Sequence, residues 1–164
     1  MIVSILNDIK NAKGSNAKKE ILRKNAKNEL FLQILNYSMN PFNPFHVVKI
    51  PRTKIRHERL LTETESWEEF LTAADRCSRR SITGNAAINT LSSVFSHSSI
   101  EQEMWMRKVL KKHLSIGVSQ KTVNAVFENL IPTFDIALAQ KFDLKRVKGD
   151  TVAIEPKLDG IRCF

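Results

Sequence analysis

Residues Ser66–Phe95 read SWEEFLTAADRCSRRSITGNAAINTLSSVF, and their spacing decides the fold class. Ser66 with Glu69 has the S/T-x-x-E spacing of a capping box: the serine accepts from the third helical N–H, and the glutamate reaches back. Trp67, Phe70, Leu71 and Ala74 recur at intervals of three and four, which predicts a helix packed along one side. Thr83-Gly84-Asn85 opens a second helix, with Ala87, Ile88, Leu91, Val94 and Phe95 facing inward.

The same period continues on both sides. Downstream, Ser99 with Gln102 repeats the capping box. Met106, Val109, Leu110 and Leu114 follow, with Arg107, Lys108, Lys111 and Lys112 on an outer face, and Gly117 is the expected end of that helix. Ser119 caps another, striped by Val123, Val126, Phe127 and Leu130, which stops before Pro132. Upstream, Ile2, Ile5, Leu6 and Ile9 stripe a first helix that ends at Gly14-Ser15. A second run holds Ala17, Ile21 and Leu22 among Lys18, Lys19, Arg23, Lys24 and Lys27, with a break at Asn28. The stripe resumes at Phe31, Ile34, Leu35 and Met39. Pro41 and Pro44 then stop helix formation, because proline lacks the donor and restricts its predecessor. From Pro41 to about Thr64 the chain reads as extended and loop-like, with Lys49, Arg52, Lys54, Arg56 and Arg59 along it.

The character changes after Ala139. Lys141–Gly149 is a basic, polar connector, and Thr151–Glu155 alternates as a strand does. Asp159-Gly160 is a turn dipeptide, and Ile161–Phe164 reads as a second strand. The expected fold class is mainly α: an all-α domain over 1–135, a connector over 136–150, and the first β-hairpin of a further domain over 151–164.

Composition agrees with this layout. The chain has 164 residues, 42% of them hydrophobic, with only 5 Gly and 5 Pro, which excludes disordered, collagen-like and turn-rich designs. No stretch approaches the ~20 apolar residues of a membrane span, and no signal peptide precedes the first helix, so a cytoplasmic setting without a membrane partner is expected. Cys77 and Cys163 read as free thiols. The four histidines sit in no metal-ligand spacing, so no metal site is assigned. The net charge of +9 is uneven: +8 over residues 1–60, −2 over 61–110 and +3 over 111–164. A basic surface at both ends of a helical unit suits a polyanion, and equally suits a solvated face.

The most specific feature is Lys157-Leu158-Asp159-Gly160-Ile161-Arg162, preceded by Glu155. A lysine beside a tight turn can be held rigidly at the mouth of a pocket. A neutral amine there is a nucleophile, yet only about one lysine in a thousand is neutral near pH 7.5 at its reference pKa, so such a site must favour the neutral form. The plain alternative is a hairpin with two solvent-facing cations.

KxDGxR resembles motif I of the covalent nucleotidyltransferases, which include ATP-dependent DNA ligases, RNA ligases and mRNA capping enzymes. The helices choose among them. Ile82-Thr83-Gly84-Asn85-Ala86-Ala87, then Leu114-Ser115-Ile116-Gly117-Val118-Ser119-Gln120-Lys121-Thr122-Val123, then Leu130-Ile131-Pro132, resemble in order the all-α DNA-binding domain of ATP-dependent DNA ligases. PFNPFHVVKIP (41–51) and KLDGIRCF (157–164) are similar to the bacteriophage-type enzymes.

The resemblance implies roles. Lys157 matches the nucleophile that takes AMP from ATP as a lysyl-AMP intermediate, with Mg2+ offsetting phosphate charge. Glu155 and Arg162 match nucleotide-binding positions, and 151–164 becomes the start of an incomplete adenylation (nucleotidyltransferase) domain. The helical domain would hold nicked or duplex DNA. Candidate contacts are Thr83, Gly84 and Asn85, whose helix start exposes N–H groups, Ser119 with Lys121, and the cations Arg79, Arg80, Lys111, Lys112, Arg52 and Lys54. Both helix starts also read as ordinary caps, and each cation as merely solvated. The later motifs of the family do not follow Phe164, so the chain is expected to be the amino-terminal portion of a ligase, unable to seal nicks alone, with a separate carboxyl-terminal ligase fragment as a possible partner. The alternatives are a stand-alone, non-enzymatic DNA-binding protein derived from a ligase, and an RNA ligase or capping-type enzyme sharing only motif I.

Overall fold

The structure, a computed structural model, describes residues 1–53, 55–58 and 60–133. Among these are helices α1 (Ile2–Asn11), α2 (Ser15–Lys24), α3 (Glu29–Met39), α4 (Glu63–Ser78), α5 (Gly84–Ser96), α6 (Ile100–Leu110) and α7 (Gln120–Asn124). They belong to one compact unit, Met1–Thr133.

The apolar stripes meet in one core. Trp67, Phe70, Phe95, Leu91, Trp105, Phe31, Leu6 and Ile9 are all fully buried. Trp67 meets Phe70 edge-on with ring centroids 5.7 Å apart, and Phe70 stacks on Phe95 at 6.4 Å, so α4 and α5 are joined through aromatic rings. The second run ends before Asn28, at Lys24 with Asn25 as its cap; Asn28 instead starts α3, its side chain accepting from Phe31 N–H at 3.0 Å. The first turn of α1 is closed from afar. Glu63, at the start of α4, accepts from the Val3 N–H at 2.8 Å.

The 41–61 segment lies between α3 and α4 and is fixed to α5 and α6 by side chains. Arg56 donates to the carbonyls of Phe95 (3.0 Å) and Ser98 (2.5 Å) and pairs with Glu103, while Arg107 donates to the Pro51 carbonyl. The His57 and Leu61 N–H groups donate to Ser96 and His97 carbonyls at 3.0 Å each. The His57 and His97 rings stack 4.0 Å apart.

Further helix bounds need correction. Helix α1 ends at Asn11, and Gly14 stands before α2 as its N-cap, so Gly14-Ser15 begins the second helix and does not end the first. Helix α4 starts one turn earlier than Ser66, because Thr62-x-x-Glu65 is the same capping pattern and forms both of its bonds. Ser66 is left inside the helix, buried, with its Oγ 2.5 Å from that of Ser98. Helix α6 ends at Leu110, well before Gly117, because Lys112 takes the left-handed conformation (φ 56°) and turns the chain. Helix α7 stops at Asn124; the Asn124 side chain exchanges two hydrogen bonds with Ile131 (2.7 and 2.9 Å), and Phe127 and Leu130 pack from turns.

The fold class is corrected as well. Among the described residues the protein is entirely α-helical and holds no strand, so the added β-hairpin of an incomplete nucleotidyltransferase domain is not part of the fold class. A sheet needs facing strands to bury its apolar side, and the described stripes all have helical spacing, met by helix–helix packing. The segment on which the hairpin is expected, 151–164, lies outside the described residues.

Candidate nucleic-acid interface

Helices α4 and α6 end alike. Each has a basic C-cap, Arg79 and Lys111, followed by a basic residue at φ 56°, Arg80 and Lys112. Each closes with the long hydrogen bond of a Schellman turn: Ser81 N–H to Arg76 O at 2.9 Å, and His113 N–H to Lys108 O at 3.0 Å. Glycine ordinarily takes the left-handed position, because other residues are strained there. Here that position carries a cation, which suits the negative end of the helix dipole.

The two ends converge on one loop, Asn40–His46. The Arg80 guanidinium lies 3.3 Å from His46 Nδ1, and Ser78 Oγ donates to Asn43 Oδ1. From the other side, Lys112 Nζ donates to the Tyr37 and Asn40 carbonyls at 2.6 and 3.1 Å and sits 4.3 Å above the Phe45 ring. Between the loop and the 112–122 segment runs a groove of about 900 Å³, lined by Asn40, Pro41, Pro44, Lys112, Gly117 and Ser119 among others. Two further side chains hold its walls. Gln120 Nε2 donates to Met39 O at 2.6 Å, and Lys18 Nζ donates to Ile116 O at 2.6 Å.

The expected contact residues divide into groups. Arg79, Arg80, Thr83, Gly84 and Asn85 are all exposed around the turn from α4 to α5. Gly84 has φ +52°, which explains why glycine stands there. Among the described residues, Thr83 makes no side-chain cap bond to α5. Arg79 pairs with Asp75 at 2.9 Å on its own helix yet stays largely exposed. Ser119 lines the groove and caps α7 by accepting from Thr122 N–H at 3.2 Å, with Lys121 exposed on that short helix, whereas exposed Lys111 lies beside Glu103, Met104 and Arg107 of α6 and outside the groove. Arg52 is exposed on the loop that Arg107 holds at Pro51. Lys54, Glu155, Lys157 and Arg162 lie outside the described residues.

Lys112 differs from the other cations. Its head group is turned inward, and burial pushes its pKa from 10.5 down to about 8. Lys108 also falls below its ordinary value, first through burial and then through repulsion from Lys10, and its Nζ covers the Trp105 ring at 3.9 Å. The Tyr37 hydroxyl is pushed up by burial and by Asp75, to which it donates at 3.2 Å. Cys77 is buried and its thiol is pushed up, so it is a poor nucleophile. Among the described residues, no group of three or more His, Cys, Asp or Glu could hold a metal ion, and no helix is long and apolar enough to cross a membrane.

Sequence reasoning missed the members that organise this region: His46, Asn40, Lys18 and Gln120. Their contacts join residues 34 to 98 positions apart, which spacing cannot show. The one sequence signal is the PFNPFH run, whose two prolines predict a fixed non-helical path. Chemically, the region offers fixed cations and N–H groups to phosphates.

Over its whole length the chain is 29% identical to the DNA ligases of Enterobacteria phages T4 and T6, aligned over 171 residues. It spans about a third (34%) of the length of those relatives. No family model matches it. Two solved structures, Pmar-Lig_PreS3 and Pmar-Lig_Pre., share the fold with a TM-score of 0.64 at 23% identity; the match covers 77% of this chain and 29% of theirs.

Proposed function

From this similarity to phage DNA ligases, we propose that the chain is the DNA-gripping portion of an ATP-dependent DNA ligase and that it holds nicked duplex DNA through phosphates. The observation that carries the reading is the convergence of the α4 and α6 ends on the Asn40–His46 loop. In this reading Arg79, Arg80, Lys111 and Lys121 and the exposed starts of α5 and α7 supply the phosphate contacts, with Arg80 resting directly on that loop. Binding of this kind is sequence-independent and falls steeply with salt. Arg52 and Lys54 add phosphate contacts from the 41–61 loop. In this reading 1–135 is the DNA-binding domain, 136–150 the connector and 151–164 the start of the adenylation domain.

The same reading assigns Lys157 as the nucleophile and Glu155 and Arg162 as nucleotide contacts, with ATP and Mg2+ as cofactors of the larger enzyme. The support for these three roles is the KxDGxR motif together with the ligase similarity.

The test is fluorescence anisotropy of the chain with labelled nicked and intact duplexes of several sequences, titrated from about 50 to about 200 mM salt. Sequence-independent binding that weakens steeply with salt is expected. Absence of binding at the low-salt end would sink the proposal.

A further inference from the structure

We infer that Lys112 is a positioning residue of the proposed DNA interface and makes no phosphate contact itself: its ammonium group caps the carboxyl end of α3 and fixes the loop against which Arg80 rests. This rests on the DNA-binding reading above.

The last carbonyls of a helix have no partner within it and carry the negative end of its dipole. In α3 these include Tyr37, Met39 and, just beyond, Asn40. Lys112 takes the first and third, and Gln120 takes Met39. An ammonium has three donors. Two point at carbonyls 2.6 and 3.1 Å away, and the Phe45 face lies 4.3 Å from the nitrogen. Reaching a phosphate would strip two charge-assisted hydrogen bonds and leave the α3 carbonyls bare.

Arg80 is the internal comparison. It holds the same place in the same turn with the same φ, but its side chain is exposed. The loop connects the two. It leaves Asn40, which Lys112 holds, and three residues later presents Asn43 to Ser78, then His46 to Arg80. Release of Asn40 loosens the surface on which Arg80 is presented.

Salt dependence separates positioning from contact. Each lost phosphate contact lowers the slope of log K against log salt by about 0.9. Lys112→Met keeps a chain of similar length over Phe45 and removes the donors. Lys112→Arg keeps the charge but brings a larger, planar head. With the full chain and a nicked duplex, Arg80→Met should lower the slope by about one contact. Lys112→Met should weaken binding about tenfold with the wild-type slope, because loop position and not a contact is lost. Lys112→Arg should also weaken binding at the wild-type slope. Amide hydrogen exchange over 40–46 should quicken in both Lys112 variants and not in Arg80→Met. A slope drop of about 0.9 in Lys112→Met, or unchanged affinity in both variants, would overturn the inference. If the wild-type chain binds no duplex, the DNA-binding reading fails instead, and the exchange data still report whether Lys112 fixes the loop.

Discussion

The Arg80 guanidinium lies 3.3 Å from Nδ1 of His46, and both residues hold left-handed backbone, at φ 56° and 54°. Neither is glycine, so the pair keeps two strained positions in contact across 34 residues. Strain of this kind marks places where a side chain is worth more than a relaxed backbone. Arg80→Gly should therefore raise stability by about 0.5–1 kcal/mol, a gain of about 3 °C in Tm, while weakening DNA binding. Paired thermal melts and anisotropy would check this; a variant that loses stability and keeps full affinity would refute it.

Gly117 tests the opposite case. It has φ +67°, and a Cβ there would clash with Lys18 Nζ, which donates to Ile116 O. Gly117→Ala should cost about 1 kcal/mol of backbone strain and about 1 kcal/mol for the displaced hydrogen bond. Urea unfolding of the double variant Lys18→Ala/Gly117→Ala should show less than the sum of the two single losses, because both remove the same bond.

Glu103 is 10% exposed and faces two guanidiniums, Arg56 in direct contact and Arg107 at 3.7 Å. Truncating the carboxylate leaves two cations partly buried. Glu103→Ala should destabilise the protein by about 3 kcal/mol. Limited proteolysis should then cut within 41–61, since both arginines fix that segment. Protection equal to wild type would show that the backbone bonds at His57 and Leu61 suffice.

The depressed pKa of Lys112 makes stability rise with pH. Between about 8 and 10.5 the unfolded chain holds a proton at this residue that the folded chain has released. Unfolding then takes up a proton, so higher pH favours the fold. Lys108, whose pKa is also lowered, adds in the same direction, while Cys77 and Tyr37, whose pKa values are raised, act in the opposite one. Urea unfolding at about pH 7.5 and about pH 9.5 should show a change with pH that is more positive in wild type than in Lys112→Met, the difference being the Lys112 contribution. Equal pH dependence would disprove the assignment.

Much of the helical core is legible in the sequence because its signal is local. The stripe of Ile2, Ile5, Leu6 and Ile9 and the box of Ser99 with Gln102 fall where spacing puts them. Ser66 misleads because two capping patterns lie one turn apart, and the outcome depends on which serine or threonine the core buries. The end of α6 misleads because a lysine does what glycine usually does. Of the candidate interface, the cations and both helix starts are visible in the sequence. Their grouping is not, because it depends on Lys112, Gln120 and His46 reaching residues far away in the chain. Lys112 itself reads as one more surface cation until its carbonyl partners are seen.

Glu63 closes the first turn of α1 by accepting from Val3, sixty positions earlier. During synthesis α1 leaves the ribosome long before α4 does, and chains emerge at roughly 5–20 residues per second. Through that interval the α1 stripe has no α4 carboxylate to close its first turn and no α6 surface to cover it. The first helix made is thus completed late, and a nascent chain stalled before Glu63 would expose Ile2, Val3, Ile5, Leu6 and Ile9 to chaperones and proteases.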